Sequence, residues 1–350
     1  MAYTDIDKPS DYFNTKLYTG NGSTNAITGV GFQPDWVWIK DRDNANDHKL
    51  YDGVRGATKY LISNSTAAEA TQANGLTSFD SDGFTLGSYG GTNGSGGGSG
   101  PNFVSWNWLA SNTTASNTDG DITSTVSANT TSGFSIVSYT GTANSSDTVG
   151  HGLGAVPKMI IIKRRDDAGG TNWCVYHVSN NNTKVMFLES TSAGISNIRY
   201  WNNTTPTSSV FSIGNDDSLN ASGGSFIAYC FAEKKGFSKF GSYTGNGSAD
   251  GTFVYTGFKP AFIMVKDYTT AGNNWFIWDN KRDGYNVINR YLRPNLSDAE
   301  GYYEAIDILS NGFKNRNTSG SANGSGTGYI YMAFAENPFV TSGGIPTTAR

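Results

Sequence analysis

Apolar residues in this chain fall in short consecutive runs separated by stretches of Gly, Ser, Thr and Asn, and three of the runs are built alike. Pro34-Asp35-Trp36-Val37-Trp38-Ile39-Lys40, Pro157-Lys158-Met159-Ile160-Ile161-Ile162-Lys163 and Pro260-Ala261-Phe262-Ile263-Met264-Val265-Lys266 each open on Pro and close on Lys. A second apolar and aromatic run starts at the same interval beyond each Lys, at Phe103, Phe226 and Tyr329. The chain therefore reads as one unit written three times. A run that is apolar at consecutive positions needs cover on both faces, so the stretch from Pro to Lys is predicted to be a central strand. The Pro stands at its start, where a missing N–H costs least. The Lys is expected to lay its stem over apolar surface and keep its ammonium in water.

Each unit begins with a Tyr-Thr-Gly turn, at Tyr18, Tyr139 and Tyr243, followed in the first and third units by Asn-Gly. Asn-Gly supplies the positive φ of a tight turn. Aromatic strands are predicted at Leu50-Tyr51-Asp52, Trp173 to His177 and Trp275 to Asp279, with shorter strands around Tyr60, Val185 and Tyr291 and around Phe79, Val210 and Ile308. At about six to eight strands per unit, the pattern predicts an all-β chain of three tandem homologous β-sandwich units, jelly-roll or lectin-like. Their expected bounds are 1–112, 133–234, and 235–350 including a C-terminal tail, with the polar stretch 113–132 as a linker or arm. The Gly/Ser-rich stretches 90–100 and 320–328 read as mobile loops.

Composition agrees with this and narrows the function. The 44 Gly and an aromatic fraction of 13% beside a charged fraction of only 15% describe strands joined by turns. A net charge of −4 leaves no basic surface for phosphates, so nucleic acid is not an expected partner. Cys174 and Cys230 fall in apolar strand positions of the second unit and are expected as buried free thiols. The N-terminus lacks the apolar core of a signal peptide and no run reaches the length of a membrane span, so cytosolic synthesis and no membrane insertion are expected.

Catalytic patterns are sparse. The columns that begin with Asp41 and Asp52 read Asp41, Arg164, Asp267 and Asp52, His177, Asp279, so no carboxylate pair recurs in all three units. A glycosidase pair within one unit would need two carboxylates facing each other at about 5–9.5 Å, which sequence spacing does not reveal. Asp80-Ser81-Asp82-Gly83 resembles part of a calcium loop without its closing Glu and is predicted to be a hairpin turn. His48, His151 and His177 show no zinc spacing. Neither a nucleophile elbow nor a phosphate loop occurs. No catalytic residue, metal site or cofactor is expected. Trp36 and Trp38 share a face of their strand, as do Trp106 and Trp108; Met159 and Ile161 replace the first pair in the second unit, which places it in the core. Candidate partner or glycan contacts are instead Tyr89, Tyr200, Trp201, Tyr302 and Tyr303, which sit in variable, loop-like segments.

The opening Met1 to Phe13, the Tyr-Thr-Gly-Asn-Gly-Ser turns, Gly31 to Lys40, Val54-Arg55-Gly56, Ser78 to Phe84 and Gly236 to Tyr243 resemble a repeat family of unknown function encoded by marine bacteriophages. Such proteins are usually labelled virion structural or tail-fibre proteins. The resemblance covers nearly the whole chain. It implies a non-enzymatic virion component, a capsid decoration, fibre or tail-fibre module contributing to the particle surface or to host attachment. The implied partners are other virion proteins and copies of the chain itself, in a homo-oligomer such as a trimer, with a host surface glycan as a further one. Two alternatives stand beside it: a lectin-like glycan-binding adhesin, and, from a different class, a host polysaccharide depolymerase.

Overall fold

The computed structural model describes residues 3–96 and 100–348. It is predominantly β, built from several antiparallel sheets that do not close into a barrel. Each repeat contributes one larger, inner sheet. In the first, the order is Phe13–Thr19, Asn102–Trp108, Trp36–Asp41, Lys49–Asp52, Lys59–Ile62, Ala70–Thr71. The second centres on Phe134–Thr140, Ser225–Ala232, Pro157–Arg164 and Cys174–His177, and the third is Ser238–Thr244, Gly328–Pro338, Phe258–Asp267, Trp275–Asp279. The strand that runs to the repeated Lys is thus interior in every sheet, as its unbroken apolar run demands.

Alternation along that strand sets the architecture. Trp36 and Trp38, Met159 and Ile161, Phe262 and Met264 all enter one central cluster shared by the three repeats. Their neighbours Val37 and Ile39, Ile160 and Ile162, Ile263 and Val265 point the other way, each pair into a cluster private to its own repeat. A smaller sheet covers that outer side: Asn25–Thr28, Gly83–Leu86, Leu76–Asp80 in the first repeat; Asp147–Gly150 with Val210–Ile213 in the second; Phe253–Tyr255, Gly312–Asn315, Ile306–Leu309 in the third. The rings of different repeats meet in the central cluster. Trp36 stacks on Tyr229 with centroids 4.3 Å apart, Phe13 on Phe334 at 5.2 Å, and Phe231 lies edge-on to Phe334 at 6.0 Å. Trp106 and Trp108 are in the same cluster, as expected of core residues. Burial of such rings is the dominant favourable term in folding.

Three expectations change in detail. The polar stretch 113–132 still joins two repeats, but it is not a free arm. Ala115–Asn117 and Ser124–Asn129 pair with each other, and the latter pairs with Phe134–Thr140, extending the second inner sheet to eight strands. The glycine-rich loops are anchored rather than loose. Asn93, at the end of the helical turn Gly90–Asn93, is buried and donates to the carbonyls of Ser23 and Gly87, while Asn323 does the same to Ser248 and Asn317. Residues 97–99 of the first loop lie outside the described residues. Finally, the repeated Lys is buried in every unit. Asp80-Ser81-Asp82-Gly83 is the expected hairpin turn, with Asp80 paired to Gly83, and both cysteines are buried free thiols.

Candidate functional site

Several buried side chains able to carry chemistry lie at the seams between repeats. His48, Trp173 and Trp275 precede or open the aromatic strand at equivalent positions. Trp173 Nε1 donates to the carbonyl of Ile62 at 2.8 Å, Trp275 Nε1 to that of Phe187 at 3.0 Å, and His48 Nε2 lies 3.1 Å from that of Arg293. The second repeat therefore bonds the first, the third bonds the second, and the first bonds the third. The seams form a ring. The same cycle recurs on the backbone, where the N–H groups of Glu69, Gly194 and Glu300 donate to the carbonyls of Arg165, Tyr268 and Arg42.

Around this ring the column Asp52, His177, Asp279 meets a partner on the next repeat. Asp52 accepts from Tyr229 Oη at 2.7 Å and pairs with Arg55, whose guanidinium also donates to the carbonyl of Leu50. Asp279 accepts from Trp106 Nε1 at 3.1 Å and pairs with Arg282, which donates to the carbonyl of Ile277. Each arginine then reaches a glutamate clamped from the neighbouring repeat: Glu69 by Arg165, Glu300 by Arg42. Burial alone would raise the Asp279 carboxyl, but the Arg282 charge and its hydrogen bonds outweigh it and hold the group below the usual carboxylate value. At the third seam this column is neutral. Met332 stands where Tyr229 and Trp106 donate, and opposite it His177 Nε2 meets the carbonyl of Tyr331 at 3.1 Å.

Two of the repeated lysines also cross seams, and the third bonds within its own repeat. Lys163 Nζ donates to the carbonyls of Thr66 and Thr171 at 2.9 and 2.7 Å, and Lys266 Nζ to those of Thr191, Asp267 and Asn273. Lys40 Nζ donates to Asp41 and Asn44. Desolvation pushes all three down to about 8. The histidines are equally committed: Nδ1 of His48, His151 and His177 accepts from Trp38 Nε1, Leu153 N and Ser179 N, which leaves the proton on Nε2 facing a carbonyl. Burial holds each ring below its ordinary value. Such groups fix a fold; they are poorly placed to meet a substrate. Among the described residues no group of three or more His, Cys, Asp or Glu gathers as metal ligands.

The surface is uneven. Exposed aromatic rings among the described residues are Tyr3, Phe253, Tyr255, Tyr285, Tyr302, Tyr303 and Phe339, and all but Tyr3 belong to the third repeat. Two sets emerge. Tyr285, Tyr302 and Tyr303 follow Arg282 in the third repeat, and Arg290 lies over the Tyr302 ring at 5.2 Å. Tyr3, Tyr255 and Phe339 border a cleft of about 220 Å³ at the junction of the second and third repeats, together with Glu233 and Lys239. Of the five contacts expected from sequence, Tyr302 and Tyr303 are exposed. Tyr89 is half-buried and stacks on Tyr60. Tyr200 and Trp201 are not surface residues: they close the helical turn Ile198–Trp201 and pack inward against Phe187 and Tyr176, leaving 8% and 2% of their area accessible.

A sequence family described as a domain of unknown function, DUF7483, matches residues 8–338, which takes in all three repeats. The chain belongs to the DUF7483 family. No curated protein and no solved structure matches it. The span of the match makes the DUF7483 unit the ring of three and not the single repeat, in line with seams that each repeat completes for its neighbour. The cleft residues Tyr3, Tyr255 and Phe339 were not singled out in sequence. Tyr255 alternates with Phe253 across the buried Val254, a short out-in-out pattern that marks an outward aromatic pair. Tyr3 and Phe339 lie near opposite ends of the chain, and their proximity is a product of the ring.

Proposed function

We propose that this chain is a non-enzymatic structural component of a bacteriophage particle, a capsid decoration, fibre or tail-fibre module, built of three tandem β-sandwich units and contributing to the particle surface or to host attachment. The third repeat is its contact side. The observation that carries the reading is the distribution of side chains: Asp52, Asp279, His48, His177 and the three repeated lysines are buried, most of them in the seams, while all but one of the exposed aromatics gather on one repeat. Three copies of one scaffold, one of them given outward rings, suit a part that must hold shape and touch something. The resemblance to marine phage virion proteins supports the placement. A lectin-like adhesin is the second reading, favoured by outward tyrosines, because ring faces pack against the C–H faces of sugars.

The test is proteomic and enzymatic together. Particles purified from the phage that encodes the chain should contain it in fixed stoichiometry to the major coat protein, and the isolated protein should release no reducing ends from host surface polysaccharide. Absence from the particles would overturn the placement. Reducing-end release that is lost on substituting an exposed carboxylate would establish the depolymerase alternative instead.

A further inference from the structure

We propose that the cleft between the second and third repeats is a binding site for one pyranose unit of a glycan. This rests on the third repeat being the contact side and deepens it by naming the ligand class and the residues. Both chain ends build the site. Thr4 Oγ1 and Asp5 N bond the carbonyl of Lys235, which sets Tyr3 on one wall. Gly236 permits this approach, since a Cβ there would lie 2.3 Å from Thr4 Oγ1 and its φ is +76°. On the other side Phe339 is held by its N–H to the carbonyl of Gly257 and by Thr347 N to its own carbonyl. Ser342 is tied to Asp7 by backbone and side chain, so the C-terminal tail is fastened to the N-terminal segment beside the cleft.

The cavity so formed, about 220 Å³, has the size of a single sugar ring and is smaller than a drug-sized site. Its chemistry is two-sided. Tyr3 and Tyr255, 65% and 58% exposed, offer aromatic surface suited to the C–H face of a pyranose. Glu233 and Lys239 lie 2.8 Å apart and part-exposed at the rim. A carboxylate accepts from two hydroxyls while the ammonium beside it donates to their oxygens, so the pair matches a vicinal diol without requiring a charge on the ligand.

Saturation-transfer NMR on the full-length protein tests this, with the methyl glycosides of glucose, galactose, mannose and N-acetylglucosamine as probes. At least one should receive magnetisation on its C–H face. Its affinity should fall roughly tenfold or more in Tyr255→Ala, as for loss of an aromatic anchor. It should also fall in Glu233→Gln, a near-isosteric change that leaves the fold intact, and stay unchanged in Tyr303→Ala. Transfer to none of the four, or undiminished transfer in Tyr255→Ala, would overturn the site. Such a failure would leave the particle placement standing, because that is read from purified particles. A chain absent from particles that still bound a glycoside through Tyr255 would refute the placement and keep the site.

Discussion

His177 occupies the position held by Asp52 and Asp279 in the other repeats, and the exchange is matched across the seam by Met332 in place of Tyr229 and Trp106. A carboxylate at 177 would face a thioether that donates nothing, and a buried charge without a partner costs several kcal/mol. A neutral imidazole avoids the cost by donating to the carbonyl of Tyr331. The exchange has a pH signature. Burial pushes the His177 ring down to about 4 from 6.5, so the unfolded chain takes up a proton at a pH where the folded chain does not. The contribution of this group is complete above about pH 6.5 and is lost as pH falls towards 4, by about 3 kcal/mol. Gln at 177 can still donate to the carbonyl and has no proton to gain. Urea midpoints between pH 7 and 4 should therefore fall more steeply for the wild type than for His177→Gln. Parallel slopes would show that His177 is not held neutral.

At the scale of elements, the strand running to the repeated Lys was legible because its apolar residues are consecutive. Only cover on both faces accounts for that, and the central and private clusters provide it. The fate of the Lys was not legible. A Lys at the end of an apolar strand ordinarily extends to water, and nothing near Lys163 in sequence shows that Thr66, a repeat away, supplies its acceptor. The strand Ser124–Asn129 was hidden for a related reason: Ser124 and Ser127 are buried, so polar residues fill positions where alternation would show apolar ones. Tyr200 and Trp201 misled in the opposite sense. The polar neighbours Asn202 and Asn203 suggest a surface loop, but the helical turn directs both rings inward. Lys163→Met keeps the stem's packing and strands the carbonyls of Thr66 and Thr171. The expected loss is about 1–3 kcal/mol, the cost of leaving buried acceptors unpaired, read as a lower denaturation midpoint. An unchanged midpoint would mean that the ammonium is solvated and the seam bond is not made.

At the scale of the molecule, triplication was plain in the sequence but the closing of the ring was not, since a linear array would carry the same repeats. Closure depends on bonds from the first repeat to the third: His48 to Arg293, Trp106 to Asp279, and Arg42 to Glu300. No spacing along the chain encodes them. They make the repeats interdependent, because each inner sheet buries one face only against the other two. A chain of this kind should unfold as one unit despite its length. Differential scanning calorimetry of the full-length protein tests that directly. A single endotherm is expected, with a calorimetric enthalpy equal to its van't Hoff enthalpy. Two or three separate endotherms, each with the enthalpy of a single repeat, would contradict it.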